Sequence, residues 1–99
     1  MNIKDVYLKY GEEYIRNVIE NNTELNDYYD VSTSSYHQRH KQLVYNKNRF
    51  NLDDALYLTI ALDMIKSNTE LSDIEVSGRE KIKLRQMLEM IQGCNSNET

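Results

Sequence analysis

His37, Gln38, Arg39, His40 and Lys41 stand in one unbroken run of side chains that donate hydrogen bonds or carry positive charge, with no carboxylate among them. Two kinds of chemistry are open to them. His37 and His40 are three apart, which on a helix puts both imidazoles on one face at a spacing compatible with a divalent metal. Zinc needs further ligands, however, and there is no third histidine, while the only cysteine, Cys94, lies in the polar tail CNSNET. Asp27 or Asp30 would have to complete such a site, so neither a metal nor a cofactor is expected. The sequence also has no Gly-rich phosphate loop, nucleophile elbow or paired His/Asp arrangement, so no catalytic residue is expected and the chain reads as a non-enzyme. What remains is recognition, in which Arg and Lys neutralise anions and Gln and His offer directed hydrogen bonds.

Charge is divided sharply along the 99 residues, whose net value of −4 conceals it. Residues 36–51 carry four Lys or Arg and no Asp or Glu, whereas residues 1–35 carry three basic and seven acidic side chains and residues 52–78 one against six. A basic island therefore sits in an acidic chain, as expected of a phosphate-binding element or of a solvated helix face. The acidic flanks at 12–30 and 53–75 would repel DNA unless turned away from it.

These side chains must be positioned by some scaffold. Proline is absent, glycine occurs only at 11, 78 and 93, and alternating β-branched runs are missing, so the sequence predicts an all-α fold. The length suits a single domain over residues 1–93 followed by the polar tail 94–99. Five helices are expected. The first runs from about Lys4 to Asn21, with Val6, Tyr10, Tyr14, Ile15, Val18 and Ile19 on one stripe. Short helices over about Glu24–Tyr29 and Thr33–Asn46 follow, with Ser32 as N-cap of the latter and a loop at 47–51. Asn51 is placed to cap a fourth helix, the most apolar, carrying Leu52, Leu56, Ile60 and Met64 with Asp53 and Asp54 in its first turn. Ser77 and Glu80 form a capping-box pattern for a fifth helix over 78–92, which carries Leu84, Met87, Leu88 and Ile91 and is expected to stop at Gly93.

Within residues 22–46, Leu25, Tyr29, Val31 and Tyr36 are spaced to direct apolar side chains from two short helices and their turn into one small core, the pattern of a helix-turn-helix. With GEEYIRNVIENN before it and FNLDDALYLTIALDMI and SNTELSDI after it, this order resembles the small repressors of the lambda-repressor and Cro type. Leu52, Leu56, Ile60 and Ala61 fit the leucine-rich fourth helix of that family, and the resemblance covers roughly residues 10–74. Asn26 stands where the family often has alanine, and Asp30 where it has the turn glycine. The resemblance implies a compact five-helix, lambda-repressor-like domain that regulates transcription by binding double-stranded DNA as a homodimer. The helix at 33–46 would lie in the major groove with Thr33, Ser34, His37 and Gln38 toward base edges, and Ser32, Arg39, Lys41, Lys47 and Arg49 would contact phosphates. The apolar stripe Leu84, Met87, Leu88 and Ile91 would form either the dimer interface or part of the core.

A phage or bacterial regulator of this kind is expected in the cytoplasm, since no segment approaches the length of a membrane span and the N-terminus lacks signal-peptide order. The alternative expectation, favoured by the acidic flanks, is a helical protein-binding module acting on a host protein, such as an inhibitor or antirepressor. A small assembly component is a third. One internal echo competes with the repressor pattern: VIENNTELND at 18–27 and MIKSNTELSD at 64–73 share a frame, and Val-Ser pairs at 31–32 and 76–77 come after them at nearly the same offset. Duplication of a helix-loop-helix unit would explain it. Convergence on similar helix-end chemistry explains it more simply.

Overall fold

The computed structural model describes residues 2–21, 28–37 and 48–96, with side chains of 35–37 and 95–96 left aside. The chain divides into two units, residues 1–56 and 57–99.

The first unit begins with α1, Ile3–Glu20. Asn2 caps it, its Oδ1 accepting the Asp5 amide at 2.9 Å, and Asp5 places negative charge in the first turn where the helix dipole favours it. Its buried side chains are Ile3, Val6, Ile15 and Val18. Between those two pairs the helix breaks at Gly11, whose φ of 87° and ψ of 174° belong to a region only glycine enters readily. A Cβ there would meet no atom within 4 Å, so the requirement for glycine lies in the backbone and not in packing. The uninterrupted stripe expected from sequence is thus two short helical segments, and Tyr10, expected on that stripe, is 37% exposed.

Beyond α1 the fold departs from expectation. Residues Tyr28–Asp30 form β1, Ser35–His37 form β2 and Arg49–Asn51 form β3, a three-stranded antiparallel sheet in the order β2-β1-β3. Tyr29 pairs with Tyr36 on one side and with Phe50 on the other, while Asp30 stands between Ser35 and Arg49. The buried rings of Tyr29 and Phe50 meet across strands with centroids 5.6 Å apart. Val31–Ser34 make the turn from β1 to β2, with Ser34 at a left-handed φ of 53°, and the Val31 amide reaches the Asn48 carbonyl at 2.8 Å.

The all-α, five-helix, lambda-repressor-like architecture is therefore overturned: the expected recognition helix over 33–46 starts as a turn and enters a strand, Tyr28 and Tyr29 of the expected helix before it lie in β1 while 24–27 lie outside the described residues, and the loop at 47–51 contains β3. The local chemistry explains the outcome. Ser and Thr side chains compete for backbone hydrogen bonds and weaken a helix at its start, and the aromatic residues Tyr28, Tyr29, Tyr36 and Phe50 favour strands, where the rings of Tyr29 and Phe50 meet across the ladder.

Helix α2, Leu52–Lys66, starts where the sequence places it, with Asn51 Oδ1 accepting the amides of Asp53 at 2.8 Å and Asp54 at 3.2 Å. Leu52, Ala55, Leu58, Ala61, Leu62 and Met64 are buried, whereas Ile60 is 38% exposed.

In the second unit the end of α2 is a Schellman turn. Asn68 adopts φ 56°, its amide bonds to the Ile65 carbonyl at 3.2 Å, and the Thr69 amide bonds to the Met64 carbonyl at 2.8 Å. A 3-10 turn over Leu71–Asp73 comes next, with Asp73 Oδ2 accepting the Glu70 amide at 3.2 Å. Helix α3, Gly78–Ser96, is capped by Ser77, whose Oγ accepts the Glu80 amide at 3.3 Å. It runs through Gly93 instead of stopping there, because glycine inside a helix costs only about 1 kcal/mol and here φ stays negative. None of the described helices is long and apolar enough to cross a membrane.

Candidate functional site

The residues singled out from sequence for phosphate and base contact fall into two groups. Gln38, Arg39, Lys41 and Lys47 lie outside the described residues, as do His40 and Asn26. Ser32, Thr33 and Ser34 are exposed on the β1–β2 turn, His37 ends β2, and Arg49 opens β3. The sheet brings Ser32, Thr33 and Arg49 together around one carboxylate, which the sequence offers as a substitute for a turn glycine or as a third metal ligand.

That carboxylate is Asp30, buried at 4% exposure. Its Oδ1 accepts the Ser32 amide at 3.0 Å and the Ser32 hydroxyl at 2.6 Å, the pattern of an Asx turn. Arg49 Nε lies 3.6 Å from Oδ2, too long for a hydrogen bond, and this buried nitrogen has no other hydrogen-bond partner among the described residues. The Ser32 hydroxyl bond holds the Asp30 carboxyl below its ordinary value, helped by the amides of Ser32 and Thr33 and by the Arg49 charge, and opposed by burial. The group is therefore an ionised carboxylate whose negative charge is directed at the same side chains that were expected to meet phosphates.

A second feature lies between α1 and the turn. Tyr14, Asn17, Val18, Asn21, Tyr29 and Ser34 line a cleft of about 290 Å³. Helical spacing places Tyr14, Asn17, Val18 and Asn21 along one side of α1, and the hairpin contributes Tyr29 and Ser34. Tyr14 stacks on Tyr10 with ring centroids 4.7 Å apart. The sequence places Tyr14 on the apolar stripe of the first helix and Asn21 at its end, and does not single out Asn17. The signal that could have found the cleft is the pair of carboxamides Asn17 and Asn21, at i and i+4 beside an aromatic on α1.

Leu84, Met87 and Ile91 are buried by the chain itself at 1%, 7% and 1% exposure, with Leu88 half-buried. Among the described residues no three His, Cys, Asp or Glu side chains are placed to hold a metal ion. Comparisons with protein-family models, with curated proteins and with solved structures return no match to this chain.

Proposed function

We propose that this chain acts by binding another protein, without catalysis, as an inhibitor or adaptor would. One observation carries the reading: Ser32 and Arg49, two of the expected phosphate contacts, are directed to the buried carboxylate of Asp30. A fixed negative charge beneath the turn opposes a phosphate there, since like charges brought together in a poorly hydrated setting repel strongly. The acidic balance of residues 1–35 and 52–78 acts in the same direction.

DNA binding is the second reading, favoured by the basic island at 36–51. It rests on charge alone, since the described residues hold no helix-turn-helix to deliver base contacts. Fluorescence anisotropy with random duplex DNA at about 50 and about 200 mM salt separates the two, because phosphate contacts make affinity fall steeply with salt. The protein-binding reading expects no saturable binding at either salt. Saturable binding that weakens by orders of magnitude between them overturns it.

A further inference from the structure

We propose that the cleft between α1 and the β1–β2 turn receives a positively charged segment of a partner protein that inserts an aromatic side chain. The inference rests on the protein-binding reading and names the chemistry of the partner. The apolar lining of the cleft comes from Tyr14, Val18 and the buried Tyr29, with Asn17, Asn21 and Ser34 supplying polar groups, and its volume of about 290 Å³ has room for an aromatic ring. Tyrosines beside carboxamides and a hydroxyl are the composition of protein-binding surfaces, where a rigid ring buries area at little entropic cost and small polar groups satisfy the edges.

The residues flanking the cleft set the charge of the occupant. Along α1, Glu13 precedes Asn17 by four residues and Glu20 comes three after it, so all three share one face, and all three are exposed. The nearest arginine in sequence does not neutralise that row, because Arg16 Nε is engaged with Glu12 at 3.2 Å. Arg49 is held beside Asp30. The aromatic approach also suits a cation: Lys9 Nζ already sits 5.4 Å from the Tyr10 ring centroid, and Tyr10 stacks on Tyr14, a wall of the cleft. A segment with Lys or Arg on either side of an aromatic residue would match acid, ring and amide together.

The test uses the full chain, labelled with nitrogen-15, and two short synthetic peptides. One has a tryptophan between Lys-Arg pairs and the other has glutamates in their place. The proposal expects amide shifts centred on Tyr14, Asn17, Val18, Asn21, Tyr29 and Ser34, with the basic peptide binding about tenfold more tightly. Asn17→Arg should abolish these shifts. Glu13→Lys combined with Glu20→Lys should reverse the preference, and all three positions are exposed, so thermal midpoints should stay close to that of the parent chain.

Equal affinity for the two peptides overturns the proposal. So do shifts on another face, which leave the protein-binding reading standing. So does a self-associated chain that the basic peptide dissociates, since the occupant would then be a second copy. Shifts with duplex DNA and none with either peptide overturn both the proposal and the reading on which it rests.

Discussion

Val31-Ser32 and Val76-Ser77 look alike in sequence, and each stands where a serine could begin a helix. At Ser77 it does: the hydroxyl oxygen accepts the Glu80 amide and α3 begins. At Ser32 the same hydroxyl donates instead to Asp30 Oδ1 at 2.6 Å, and the chain turns back into β2. Two differences in the neighbours decide between these outcomes. Ser77 is followed by Arg79, Glu80, Lys81 and Leu84, good helix formers with an acid at the third position, whereas Ser32 is followed by Thr33, Ser34 and Ser35. A carboxylate stands two residues before each serine, but the shorter Asp30 side chain is buried and captures the Ser32 hydroxyl, whereas Glu75 is exposed and leaves Ser77 to cap the helix. A cap residue is thus a conditional signal, read only with the residues on both sides.

The contrast predicts that the hairpin depends on pairing across strands and the helices depend on their ends, and it can be broken in order of effect. Phe50→Ala should be the most damaging change, costing about 3–5 kcal/mol, because it empties a fully buried site and removes the ring opposite Tyr29. Denaturant melts would read this, and a loss below about 1 kcal/mol would mean that the Tyr29–Phe50 pair is not what holds the sheet. Gly11→Ala should cost about 1–3 kcal/mol through backbone strain alone, since no atom stands near the added methyl group. An unchanged melting temperature would show that α1 tolerates a straight course.

Ser77→Ala should cost about 1 kcal/mol by removing the α3 cap, whereas Ser32→Ala should leave helix content by circular dichroism unchanged, because no helix begins there. Equal loss of helix signal in the two variants would erase the distinction drawn between them. Asp30→Asn should have the smallest effect at neutral pH, since an amide oxygen still accepts from Ser32. Its signature is in acid. A carboxyl held below its ordinary value of 3.8 when folded stabilises the protein above that pH, and this contribution is lost as pH falls through the folded value. The variant should therefore lose less stability than the parent chain below about pH 4, measured as melting temperature against pH. Parallel curves would remove Asp30 as a source of acid sensitivity.

The starts of α2 and α3 were legible in the sequence because their causes are local. Asn51 before Leu52 and Ser77 before Gly78 are read within four residues, and the structure uses both. The echo between 18–27 and 64–73 has the same origin at its second copy, where Asn68 and Glu70 end one helix and start a 3-10 turn. The elements beyond the two copies differ, β1 after one and α3 after the other, as expected of shared helix-end chemistry. The sheet was hidden because strands of three residues are too short to show alternation, so an aromatic run such as Tyr28-Tyr29 fits either period. The site was half visible: Ser32 and Arg49 were singled out, but for a partner outside the chain, and nothing in their types reveals that Asp30 would claim both.

The sequence alone determined the charge layout, the places of α2 and α3 and the residues that cap them, since each depends on side chains within a turn of one another. Only the tertiary structure decided that Tyr29 would pair with Tyr36 and Phe50, that Arg49 would face Asp30, and that Asn17 and Ser34 would line one cleft. Those pairings join residues 7 to 21 positions apart, and the free energy that selects them comes from burial and ladder bonds formed only after the chain has closed on itself.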